Sequence, residues 1–242
     1  MRILLVNDDG YEASGLLALK EILQSYGEVY VVAPSTGKSG AGCSLTTFKP
    51  IKIHKIDEKN YHVEGTPVDC VQFAKAQFPD FFDLVVSGCN RGFNVSNDVL
   101  YSGTCGGGFQ ALMFKTPSIC FSQDYIDDPW QVRNSGKEVL DFIFSNNLLS
   151  KDYFLNVNFP FKEYEKPKGI VVTKLYVRNT SYSISEKDEE GYQTISHVHD
   201  IPEDINTYDV SAIRNGYISI TPISVTAYKE EHFKELLVKV NK

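Results

Sequence analysis

The sequence predicts an α/β protein, a mostly parallel sheet covered by helices with a decorated C-terminal part, on three observations. Short β-branched apolar runs alternate with helical patterns through the first 160 residues, as strands joined by crossover helices do. From about Phe161 that alternation loosens into isolated strand-like runs, a polar segment and a charged tail. No low-complexity linker or internal repeat divides the 242 residues, so the default is one unit, with a core over about 1–160 and an extension over about 161–242.

Taken in order, Arg2 to Val6 reads as a buried first strand. Ser14 can cap a helix whose apolar positions Leu16, Leu19, Ile22, Leu23 and Tyr26 share one 3.6-period face, with Gly27 ending it. Glu28 to Ala33, closed by Pro34, is a second strand. Ile51, Ile53 and Ile56 alternate with polar residues in a half-exposed strand, and Tyr61 to Glu64 is its partner. Thr66-Pro67-Val68-Asp69 announces a helix: Thr66 caps, Pro67 stands where its missing N–H costs nothing, and Asp69 favours the helix N-terminus. Asp83 to Ser87 is a strand, Thr104 to Phe114 a helix, Ser118 to Ser122 a strand, Trp130 to about Asn146 a helix, and Phe154 to Phe159 a strand ended by Pro160. Gly169 to Leu175 and Gly216 to Ile223 read as strands, and Ala227 to Val240 as a charged terminal helix. Ser181 to Asn206 is polar and turn-rich, with two readings open: a β-hairpin arm or a plain surface loop.

Composition removes several classes. With 24 Lys plus Arg against 31 Asp plus Glu, a net charge of −7 disfavours a sequence-independent nucleic-acid binder. The longest apolar runs fall far short of the ~20 residues that span a bilayer, and no basic, then apolar leader opens the chain. The expectation is a cytoplasmic protein with no nucleic-acid and no membrane partner. The cysteines (Cys43, Cys70, Cys89, Cys105 and Cys120) are odd in number and widely spaced, so they read as mostly buried thiols rather than a disulfide framework or zinc site.

In open α/β sheets ligands bind beyond the carboxyl ends of the strands. Three loops lie at such ends: Asn7-Asp8-Asp9-Gly10, the loop Gly37 to Gly42, and Ser87 to Gly92. Adjacent Asp8 and Asp9 repel one another at the end of a buried strand, and a divalent cation would relieve them. Mg²⁺ or Mn²⁺ takes oxygen donors, for which Asp8, Asp9, the Ser39 hydroxyl and the Asn90 amide oxygen form a set. The other reading, one Asp capping a helix and the other solvated, stays open on spacing alone. Tyr101 to Gly108 brings small residues to a helix start, where free N–H groups would let Ser102, Gly103 and Thr104 hold a phosphate.

Three decoys fall away. Gly37-Lys38-Ser39 imitates the end of a Walker A loop, but Val32 stands where its first glycine belongs. His197-Val198-His199-Asp200 could bind a transition metal, yet lies in the weakest-patterned segment and reads as a solvated arm. Cys89 and Cys105 flank the site without an identifiable histidine base, which disfavours a cysteine nucleophile.

MRILLVNDDG, VVAPSTGKSGAG, EGTPVDC, SGCNRGFNVSNDVLYSGT, FLNVNFP and GYISITP, in this order from residue 1 to about 222, resemble the SurE family of stationary-phase survival nucleotidases. The resemblance implies a Rossmann-like three-layer core and a metal-dependent phosphatase acting on nucleoside 5′- and 3′-monophosphates and, in some members, short polyphosphate. It further implies one divalent cation per subunit, Mg²⁺ or Mn²⁺, held at the positions of Asp8, Asp9, Ser39 and Asn90. The phosphate site would be lined by Asn94, Ser102, Gly103 and Thr104, and a homodimer or homotetramer would exchange C-terminal elements. Departures from the family pattern are Ala13-Ser14-Gly15, where Ala-Pro-Gly is usual, Ser35-Thr36 in place of Asp-Arg, and Gln110 where a glutamate is common.

Catalysis is then expected from Asp8 and Asp9, by water attack or through an aspartyl-phosphate, with loop N–H groups and Thr104 stabilising the transferred group. A receiver-type signalling module also carries an acidic pair after its first strand. Its acceptor Asp is absent here, where Ser87-Gly88-Cys89-Asn90 stands. A dinucleotide oxidoreductase lacks its G-x-G-x-x-G after the first strand.

Overall fold

A strand buried on both faces needs apolar side chains on both, and Ile3-Leu4-Leu5-Val6 provides them. Ile3 and Leu5 join the core on one side of the sheet, Leu4 and Val6 that on the other. In the computed structural model, which describes residues 1–78, 82–202, 204, 207–225 and 230–240, this strand, β1 (Arg2–Val6), is central. The chain continues through α1 (Ser14–Leu23), β2 (Glu28–Pro34), β3 (Ile53–Lys55), β4 (Asn60–Val63), α2 (Pro67–Gln77) and β5 (Leu84–Arg91). A 3₁₀ turn (Ser96–Leu100), α3 (Gly103–Met113), β6 (Ser118–Gln123), α4 (Trp130–Ser145) and β7 (Phe154–Asn158) complete the first part. Beyond it lie β8 (Ile170–Val172), β9 (Thr180–Ile184), β10 (Ile195–His199), α5 (Asp209–Arg214), β11 (Ile218–Ile223) and α6 (Glu230–Val240).

Nine strands form one sheet in the order β3-β4-β2-β1-β5-β6-β7-β11-β8. It is mostly parallel, as predicted; only β3 against β4 and β11 against β7 run antiparallel. Leu16, Leu19 and Leu23 of α1 and Val132, Val139 and Ile143 of α4 cover one face, while Val71 and Ala74 of α2 and Ala111 of α3 cover the other. Three layers result. After β1 the chain builds outward through β2 and β4, then returns to the other side of β1 as β5. That reversal opens a crevice at the carboxyl ends of β1 and β5, the place where α/β sheets bind ligands.

Local details both follow and correct the sequence reading. Thr66 and Asp69 form the reciprocal cap of α2, and Asp69 also accepts from the Thr46 N–H and hydroxyl, which ties a loop to the helix. Ser14, expected as a cap, is instead the first residue of α1, and its hydroxyl donates to the Asp127 carbonyl at 2.8 Å. Helix α1 ends at Leu23, short of Tyr26 and Gly27. Gly27 serves a close approach: a Cβ there would stand 2.1 Å from the Met1 carbonyl oxygen. β5 runs past its predicted end at Ser87 to Arg91, with a register shift against β6 between Ser87 and Asn90. β8 and β11, from the extension, join the main sheet, and between them the short α5 was not foreseen. The 181–206 segment, as far as it is described, is an antiparallel hairpin of β9 and β10. Of the predicted terminal helix, Glu230–Val240 is observed; 227–229 lie outside the described residues. Four cysteines are buried and Cys43 is exposed.

Candidate active site

The turn after β1 is closed by Asn7, a residue without a role in the sequence reading. Asn7, fully buried, donates from Nδ2 to the Gly10 carbonyl at 2.8 Å, and its Oδ1 accepts from the Gly10 N–H at 3.3 Å. This fixes the two intervening aspartates. Asp8 is 4 % exposed, and its Oδ1 accepts from the Thr104 hydroxyl at 2.5 Å. Burial pushes the Asp8 carboxyl up to about 6, with the adjacent Asp9 charge adding to the rise and the Thr104 hydroxyl and N–H opposing it. Burial also raises Asp9, against the Arg91 N–H, which donates to its Oδ2 at 3.0 Å, and the Arg91 charge. The Arg91 guanidinium itself turns to Asp127 and the Tyr125 ring.

Other loops close on this pair. The Lys38 N–H donates to the Asp8 carbonyl at 2.7 Å, which brings exposed Ser39, the next residue, to the same crevice. Asn90, at the end of β5, commits its Nδ2 to the Gly92 carbonyl at 2.8 Å and so keeps Oδ1 for a ligand that takes an acceptor. Helix α3 starts against Asp8. Ser102 caps it by accepting from the Cys105 N–H at 3.1 Å, and a Cβ on Gly103 would stand 2.8 Å from the Asp8 Cβ. Only glycine permits that approach.

Asn94 and Thr104 turn out to be engaged by the protein. Asn94 is buried, its Nδ2 donates to Ser122 Oγ at 2.8 Å, and its carbonyl accepts from Asn156 and Asn158. Thr104, expected against phosphate, is fully buried and gives its hydroxyl proton to Asp8, so it positions the carboxylate. Its partner was invisible in sequence because 96 positions separate the two.

Asp8 and Asp9 are neighbours with no ion pair to either carboxylate among the described residues, and the Ser39 hydroxyl and Asn90 amide oxygen, hard donors like them, belong to the adjoining loops. Two adjacent like charges with spare lone pairs, Asp8 buried and Asp9 partly buried, suit a divalent cation of the Mg²⁺ or Mn²⁺ type. Among the described residues no three His, Cys, Asp or Glu side chains converge, so a cation would complete its shell with neutral oxygens. The decoys resolve as expected in one respect: no helix follows Gly37-Lys38-Ser39 up to α2, so the P-loop architecture is absent there. Burial also drives the Cys70, Cys89 and Cys120 thiols well up, away from nucleophilic thiolate.

The chain matches the family model described as "Survival protein SurE" over residues 3–182. It is 40% identical over 235 residues to a 5′-nucleotidase SurE of Clostridium botulinum, with 92% of each chain covered. To a 5′-nucleotidase SurE of Campylobacter lari it is 38% identical over 249 residues, covering 95% of each. The crystal structure of a SurE protein from Aquifex aeolicus superposes with a TM-score of 0.85 at 35% identity, covering 98% of both chains.

Proposed function

The chain belongs to the SurE family and is a 5′-nucleotidase, a phosphoric monoester hydrolase, and from that premise we propose that its turnover depends on a divalent cation held by Asp8, Asp9, Ser39 and Asn90. One observation carries the reading: at the β1/β5 crevice the buried Asp8 carboxylate packs against the first residues of α3, with the partly buried Asp9 carboxylate next to it in the chain. Bound there, such a cation would supply Lewis-acid polarisation of the phosphate and a lowered water pKa. The protein groups do the remainder. Thr104 holds Asp8 and the Arg91 N–H holds Asp9 in fixed orientation. The α3 N-terminus, with Ser102, Gly103 and the first-turn N–H groups, receives the phosphate. Asn94 holds its Nδ2 against Ser122 with one of its two N–H groups and keeps the second as the donor for the phosphate.

A water attacks phosphorus in line, forming the new O–P bond as the bond to the nucleoside oxygen breaks. The acidic pair takes the water's proton, and the departing alkoxide takes one from solvent, giving nucleoside and inorganic phosphate. Hydrolysis of 3′-monophosphates and of short polyphosphate belongs to the same proposal. So do a cytoplasmic location and a homodimer or homotetramer that exchanges C-terminal elements. The exposed apolar side chains of the hairpin (Ile184, Ile195) and of α6 (Phe233, Leu236) support that assembly. Among the described residues no helix is long and apolar enough to cross a membrane.

The test is phosphate release from a panel of 5′- and 3′-monophosphates and tripolyphosphate after EDTA treatment, then with Mg²⁺ or Mn²⁺ restored. Turnover should vanish and return, and Asp8→Asn should abolish it in folded protein. Full activity in EDTA, or in Asp8→Asn, overturns the cation reading.

A further inference from the structure

Beside the phosphate loop lies a cavity of about 190 Å³ that the mechanism leaves without a role. Asn97, Asp98 and Tyr101 form one wall, and Tyr182, His197 and His199 of the hairpin form the other. The antiparallel register sets Tyr182 opposite His197, with ring centroids 6.4 Å apart. His197 and His199 share a strand face, their centroids 4.6 Å apart. Arg178, also on the wall, is paired with Asp98, and the Thr180 hydroxyl meets His199 Nδ1 at 3.0 Å. Rings, an amide and a neutralised ion pair suit a flat, uncharged, hydrogen-bonding ligand better than a second phosphate.

Position supplies the second argument. Tyr101 is 66 % exposed and directly precedes Ser102, the cap of α3. Consecutive residues lie about 3.8 Å apart, so the two can serve opposite ends of a ligand as short as one nucleotide. A larger cavity of about 570 Å³ shares Asp98, Arg178, His197 and His199 with it but lacks Tyr101 in its lining.

We propose that the smaller cavity is the nucleobase subsite, in which the base of a nucleoside monophosphate stacks on Tyr182 and His197 while its phosphate rests at the α3 N-terminus. The hairpin then sets base preference, and purines, with more ring to stack, are favoured over pyrimidines. The inference rests on the phosphatase reading for the placement of the phosphate.

Its test compares AMP with ribose 5-phosphate, which lacks the base, in the unsubstituted chain and in Tyr182→Ala, His197→Ala and Tyr182→Phe. Removing one stacking ring should raise the KM for AMP about five- to tenfold and shrink its advantage over ribose 5-phosphate by the same factor, while Tyr182→Phe should keep that advantage within about twofold. Equal losses for both substrates, or an unchanged KM for AMP, overturn the subsite. Calorimetric binding of both ligands with Mg²⁺ separates the two readings. Preferential AMP binding without phosphate release sinks the hydrolysis reading and leaves the subsite standing; release without any AMP preference does the reverse.

Discussion

At Gly103 a single added methyl should do more to the chemistry than to the fold. A Cβ there would stand 2.8 Å from the Asp8 Cβ and 2.9 Å from its Oδ2, distances that real atoms do not hold. Gly103 opens α3 with ordinary helical geometry, so alanine adds no strain in φ and gains up to ~1 kcal/mol in helix propensity. Overpacking costs about 1–3 kcal/mol, so the net loss of stability should be about 0–2 kcal/mol. Something must still move. The α3 terminus is pinned by the Ser102 cap, which leaves the Asp8 carboxylate to give way. A displacement on the order of 1 Å at a reacting group lowers turnover by ~10²-fold. Gly103→Ala should therefore reduce kcat/KM for AMP about 100-fold in steady-state phosphate release, while urea unfolding shows a stability loss of no more than about 2 kcal/mol. Gly37→Ala is the control, because its Cβ would meet only the Asp9 carbonyl at an ordinary 3.6 Å, and activity should stay within about threefold. Near-normal turnover in Gly103→Ala would refute the claim that the α3–Asp8 contact aligns the site, as would an equal loss in Gly37→Ala.

Thr104→Val keeps the side chain's shape but removes the bond to Asp8. A hydrogen bond to a charged group is worth about 1.5–3 kcal/mol, so kcat should fall tenfold or more on an order-of-magnitude estimate. Thr104→Ser should restore most of it, and an unaltered kcat in the valine variant excludes a positioning role. Asp69→Ala strips the α2 cap and leaves the Thr46 and Thr66 donors unmatched. Urea unfolding should show a loss of about 3 kcal/mol; a shift below about 0.5 kcal/mol would show that water replaces these bonds. Burial holds Asp209 above its usual 3.8 despite N–H bonds from Ser96, Tyr176 and Val210. The folded chain thus keeps that proton when the unfolded chain has released it, so this group's contribution to stability declines as pH rises from 3.8 through the folded value. Asp209→Asn should flatten that segment of the stability-against-pH curve, and an unchanged slope would refute the assignment.

What was legible in the sequence is what local chemistry decides. Apolar runs on both faces announce β1, and Thr66-Pro67-Val68-Asp69 announces the start of α2 and its capping residue, though not the bonds Asp69 makes to Thr66 and Thr46. The acidic pair was legible because two charges at the end of a buried strand need an explanation wherever they fold. Distant partners were not. Ser14 has the chemistry of a cap, but the Asp127 carbonyl, 113 positions away, captures its hydroxyl. Gly27 looks like a helix terminator, yet contact with Met1 requires it. The six-residue α5 lacks the length to show a period, and Asp209 at its start is fixed by N–H groups of the 3₁₀ turn and of Tyr176. Thr104 shows the limit most plainly, since a threonine in a glycine-rich helix start suits phosphate or carboxylate equally and only the fold selects Asp8.

The fold also separates chemistry from recognition. Asp8, Asp9, Asn90 and α3 are anchored to β1, β5 and their covering helix, where side chains on both faces are buried and a carboxylate held by Thr104 has little freedom. Tyr182 and His197 stand outside that sheet, on a two-stranded hairpin whose side chains are largely exposed. Changes in the crevice shift atoms that must be aligned for bond breaking and so act on kcat. Changes in the hairpin alter how well a base is held and leave the reacting atoms in place, so they act on KM and on the ranking of substrates. A pH or solvent condition that loosens the hairpin should therefore erase discrimination among bases before it slows hydrolysis of ribose 5-phosphate. Loss of both together would mean that the hairpin closes the crevice itself, and that recognition and chemistry are one structural unit.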